Sequence, residues 1–128
     1  MNNLTDKTTD YEAIIFEVLK DLGISPGSKG YIYTKYIVQG FLSNKLKESD
    51  SICYVIYPKV AKHFEVENVA RIERCIRHAI EECLKNAPMS VVEKYFGNTL
   101  SYSRGKLTNK QFLYTLAEYI RIYYKDFS

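Results

Sequence analysis

No run of apolar residues in the 128-residue chain approaches the ~18 that a membrane-spanning helix requires. The first residues, "MNNLTDKTTD", lack the basic-then-apolar layout of a secretory signal, so a soluble, cytoplasmic protein with no membrane partner is expected. Cysteine is scarce and odd in number: Cys53, Cys75 and Cys83 show no CxxC spacing, which argues against a disulfide framework or a zinc site. Each sits among apolar neighbours and is expected to behave as a small buried hydrophobe. Histidine is scarcer still. Neither His63 nor His78 has neighbours that suggest a metal set or a nucleophile–base pair. A glycine-rich phosphate loop is also missing, since "SRGK" lacks the Walker spacing. These absences argue against an enzyme, and no cofactor, metal or small-molecule substrate is expected.

Alternating apolar–polar runs of strand length are absent too, and every strong periodicity is helical. Residues 10–22 place Tyr11, Ile14, Ile15, Val18, Leu19 and Leu22 on one stripe, with Asp10 as N-cap and Gly23 as stop. A second helix over about 29–46 turns Ile32, Tyr36, Ile37, Phe41 and Leu42 inward, with Gly40 marking a close approach by a neighbouring helix. Ser51 can cap a short helical "SICYVIY". Pro58 opens "PKVAKHF", and Asn68 caps a helix reaching about Lys85 after the turn "EVEN". Pro88 restarts a helix that ends at Gly97, and "NTLSYSRGKL" reads as a basic loop. Thr108 or Asn109 starts a last helix through about Tyr124, with Phe112, Leu113, Leu116, Ile120 and Tyr123 inward. The expectation is one all-α domain: a disordered tail over 1–10, then a bundle of six or seven helices over 11–128 containing a helix-turn-helix.

Net charge is only +3, but its distribution is uneven. From Lys94 to Lys110 there is no Asp or Glu, while Lys94, Arg104, Lys106 and Lys110 all fall there. On the 69–85 helix, a rotation of about 100° per residue groups Ile72, Ile76, Ala79 and Cys83 on a core face. Arg71, Arg74 and His78 group on the opposite side, with Arg77 further round and Glu73 at the flank. Pairs such as Glu73–Arg77 and Glu81–Lys85 are what a plain solvated helix carries. The order short helix, tight turn, arginine-bearing helix is instead the outline of a helix-turn-helix, whose second helix enters the DNA major groove by its N-terminal part. Arg reads guanine bidentately and Glu accepts from cytosine, so this mixture suits base edges better than a lysine patch would.

The runs "LGISPGSKGYIY", "SICYVIYPKVAKHF", "RIERCIRHAIEE" and "YFGNTLSYSRGKLTN", in this order, resemble the DNA-binding effector domain of the sporulation-initiation response regulators, the stage-zero sporulation protein A family. The resemblance spans about residues 11–122. It implies a bacterial transcription regulator binding double-stranded DNA at a TGTCGAA-like box, often as tandem copies, and hence a homodimer on such boxes. It implies base-reading roles for Arg71, Glu73 and Arg74. Arg77, His78, Lys106, Thr108 and Asn109 fall at the backbone or groove edge, and Lys59, Lys62 and Arg104 add basic groups there. The family's receiver domain has no counterpart in this chain, which makes a free-standing relative or a fragment the expectation, the "MNNL" start favouring the former. The spacing from Pro58 to Arg71 is about one residue longer than the family's. Tyr54 replaces a Lys and Leu107 a Pro. The competing expectation is a protein-interaction module built on the aromatic C-terminus, "YIRIYYKDFS", acting against a full-length regulator without reading DNA.

Overall fold

The computed structural model describes the backbone of residues 3–100 and 106–124, and the side chains of 11–97 and 106–124. It is all-helical over that span. Six α-helices follow in order: α1 (Asn3–Asp21), α2 (Lys29–Leu42), α3 (Tyr57–His63), α4 (Val69–Asn86), α5 (Met89–Leu100) and α6 (Asn109–Tyr123). A single π-helical turn, Ile52–Ile56, leads directly into α3.

The predicted stripe of α1 is the one it buries: Ile14, Ile15, Val18, Leu19 and Leu22 are all inside. Gly23, at φ +74°, ends the helix as expected. Its amide donates to Lys20 O and the Ile24 amide donates to Leu19 O, the double bond of a Schellman stop. The start differs. Helix α1 begins at Asn3, ahead of the expected Asp10 cap; once a packed segment pays for nucleation, each further residue gains one hydrogen bond for little extra ordering.

Helix α2 lies at the centre and packs against α1, α4 and α6. Ser28 caps it, its hydroxyl accepting from the Tyr31 amide at 3.1 Å. It stops at Leu42 rather than near 46, because Gly40 O takes the amides of both Lys45 and Leu46. Gly40 is therefore required by Leu46, which a Cβ would meet at 2.6 Å, and not by a neighbouring helix. The close helix approach is at Gly30. A Cβ there would stand 2.4 Å from Cys75 O and 2.8 Å from Ala79 Cβ, both on α4.

Helix α5 continues through Gly97 to Leu100, so the predicted stop at Gly97 does not occur; no described atom of a neighbouring element lies within 4 Å of where its Cβ would be, and the glycine is tolerated in line. Helix α6 buries Phe112, Leu113, Leu116 and Ile120 as expected, but Tyr123, though in phase with them, is the last residue of the helix and 67% exposed, past the end of the seam. The cysteines divide: Cys83 is buried, Cys75 half-buried, and Cys53 exposed on the outer side of the π turn, not a core residue as expected.

Candidate nucleic-acid interface

Helices α3 and α4, joined by the turn 64–68, form the helix-turn-helix. The turn is made by a second Schellman stop. Glu65 takes the left-handed conformation at φ 56°, its amide donating to Lys62 O while the Val66 amide donates to Ala61 O. Asn68 then caps α4 as the sequence predicts, its side chain accepting from the Ala70 amide at 3.0 Å.

Helix α4 is strongly two-faced. Ile72, Ile76, Ala79, Ile80 and Cys83 are buried, whereas Arg71, Arg74, Arg77 and His78 are exposed. Arg71 and Arg74 take part in none of the ion pairs between described residues. The second half of the same helix is differently used. Glu82 accepts from Ser25 Oγ at 2.9 Å and from the Ser25 amide at 3.4 Å, which ties that half to the loop after α1. The free basic ridge is thus confined to the first half of α4.

The three expected base readers do not share one face. Arg71 and Arg74 stand together toward solvent. Glu73 sits around the flank, half-buried, its carboxylate 3.1 Å from Arg77 Nη2. With Arg77 it lines a groove shared with Cys53, Tyr57, Lys106 and Asn109. There the start of α6 reaches the recognition helix. Asn109 Nδ2 donates to Glu73 O at 2.9 Å and to Tyr57 Oη at 3.1 Å. Burial pushes the Tyr57 phenol up to about 12, against the pull of the bond from Asn109. Thr108 is engaged as well. Its hydroxyl accepts from the Gln111 amide, and Gln111 Oε1 accepts from the Thr108 amide, a complete capping box. Lys106 lies exposed just before this cap, and Arg104 falls outside the described residues. Lys59 and Lys62, on α3, are exposed and open onto a separate groove that no α4 residue lines.

Periodicity and residue type reach the ridge but not the clamp at Asn109. Its partners lie 36 and 52 residues away in sequence. The only local signal was a polar residue beside a strong cap, which reads equally well as a phosphate contact.

A helix-turn-helix whose second helix presents Arg71 and Arg74 to solvent, outside every ion pair between described residues, defines a DNA-binding domain. Residues 15–120 match the family described as "Sporulation initiation factor Spo0A C terminal", and the chain belongs to that family. It is a regulatory DNA-binding family, not an enzymatic one. Among the described residues no helix is long and apolar enough to cross a membrane.

Proposed function

We propose that the chain is a sequence-specific double-stranded DNA-binding transcription regulator that inserts the first half of α4 into the major groove. The observation that carries this reading is the pair Arg71 and Arg74. Both are exposed, outside every ion pair between described residues, and set on the face of the recognition helix opposite its buried stripe. An unpaired arginine fork there is ready for guanine O6 and N7. Glu73, held by Arg77, reads from the flank. Arg77, His78 and Lys106 fall at the groove edge, with Thr108 and Asn109 fixing the loop that carries Lys106. Lys59 and Lys62 belong to the first helix of the motif, which crosses the backbone in this docking mode. The expected target is a duplex with a TGTCGAA-like box, bound by two copies on tandem boxes.

The test is fluorescence anisotropy on boxed and scrambled duplexes across a salt series. Tighter binding to the box is expected. Arg74→Ala should cost roughly 1–3 kcal/mol on the box and little on the scramble. Equal affinities of wild type and Arg74→Ala on both duplexes would refute base reading by this helix. The protein-contact reading is favoured by one observation: Ile122 and Tyr123, adjacent on α6, are 53% and 67% exposed. Concentration-dependent sedimentation lost in Ile122→Ser, with no preference for the box, would support it over DNA reading.

A further inference from the structure

A groove of about 670 Å³ opens between α2 and α3, within the size range of small-molecule sites. Lys45, Lys59 and Lys62 line it together with His63, and among the described residues no Asp or Glu does. None of the three lysines takes part in an ion pair between described residues. Like charges gathered around a concavity without a counter-charge raise the local concentration of anions. Lysine is moreover a point-charge partner for phosphate, needing no single fixed approach.

The other wall is aromatic. The Tyr36 ring lies 4.4 Å from the His63 imidazole at an interplanar angle of 32°, and Phe64 abuts both edge-on, at 5.4 and 4.7 Å. The two rings lie over one another, and Phe64 braces the pair as a shelf. Tyr11, from α1, lines the groove as well. Cations beside a fixed ring shelf match a ligand that joins a planar ring to a multiply charged phosphate tail.

We propose that this groove binds a nucleoside polyphosphate as an effector, the base against the Tyr36–His63 shelf and the phosphates on Lys45, Lys59 and Lys62. The site is independent of base reading, since no α4 residue lines it. Its occupant would sit on α3, one helix behind the recognition helix. The proposal is tested by isothermal titration of the full chain with ATP, inorganic triphosphate and adenosine, without divalent cations. Saturable ATP binding is expected, at least tenfold tighter than triphosphate and tighter again than adenosine. The double variant Lys59→Gln/Lys62→Gln, both exposed positions, should weaken ATP binding tenfold or more with an unchanged circular dichroism spectrum. Arg74→Ala should leave ATP binding within twofold. No saturation at millimolar ATP would overturn the proposal. So would triphosphate binding as well as ATP, which leaves the rings no part. Loss of ATP binding in Arg74→Ala but not in the lysine variant would do the same, since the anion would then lie on the DNA-reading ridge.

Discussion

Gly30→Ala is a severe test of how α2 seats the recognition helix. In an ordinary exposed helix the change stabilises by up to about 1 kcal/mol, because alanine loses less backbone freedom on folding. At Gly30 the added methyl would lie 2.4 Å from Cys75 O and 2.8 Å from Ala79 Cβ. The first is a backbone atom of α4 and cannot rotate away, so the helices must separate by several tenths of an ångström or more. Overpacking of this kind costs about 1–3 kcal/mol, and the backbone partner puts Gly30→Ala at the upper end. After the helix-propensity gain, a net loss of about 1–2 kcal/mol is expected. For a chain of this size that is a fall in Tm of roughly 3–10 °C. Gly97→Ala is the internal control: it is also inside a helix, but no described atom of a neighbouring element lies within 4 Å of where its Cβ would be. It should gain about 0.5–1 kcal/mol. Urea unfolding followed by circular dichroism gives both numbers. If Gly30→Ala is as stable as wild type, or moves with Gly97→Ala, the close α2–α4 approach does not exist as described.

Thr34 is fully buried and its hydroxyl has no hydrogen-bond partner among the described residues, so Thr34→Val should raise the urea midpoint by the equivalent of about 1 kcal/mol; a fall would mean the hydroxyl is satisfied. Asn109→Ala removes the donor to Tyr57 Oη and Glu73 O and should cost about 1–2 kcal/mol in the same assay, with no loss indicating that the clamp is not formed. Burial raises Tyr57 to about 12 and Cys83 to about 11, from ordinary values of 10 and 9. Both are favoured neutral in the fold. Their contribution is whole below pH 9, and is lost between 9 and 11 for Cys83 and between 10 and 12 for Tyr57. Each accounts for about 2–3 kcal/mol. Urea midpoints should hold to pH 9 and fall steeply above it, and a constant midpoint to pH 11 would contradict the burial of both groups.

What the sequence disclosed was whatever repeats locally or depends on one residue's chemistry. The α1 stripe, the Gly23 stop, the Asn68 and Thr108 caps and the two faces of α4 are all of this kind. What escaped it depends on neighbours remote in the chain. Gly40 and Gly30 are both glycines inside one helix, and nothing in their own sequence says that Leu46 presses on the first and α4 on the second. Cys53 looks as apolar in its setting as Cys83, yet the π turn rotates it outward. Tyr123 follows the α6 stripe by spacing but lies beyond the seam that buries the rest. Within the candidate site, Arg71 and Arg74 were legible from helical spacing. The rotation of roughly a third of a turn that separates Glu73 from them follows from the same spacing, and its commitment to Arg77 does so as well. The anchoring of α6 at Glu73 does not.

That anchoring bears on how such a domain can change its target. Asn109 grips the main-chain carbonyl of residue 73 and the phenol of Tyr57, not the carboxylate that Glu73 gives to Arg77. A helical carbonyl has a second lone pair to give whatever side chain it carries. Position 73 can therefore be rewritten without loosening α6 from α4. The side chain at position 73 is free to drift along a lineage while the scaffold that presents it stays fixed, so a change there need not pass through an unstable ancestor.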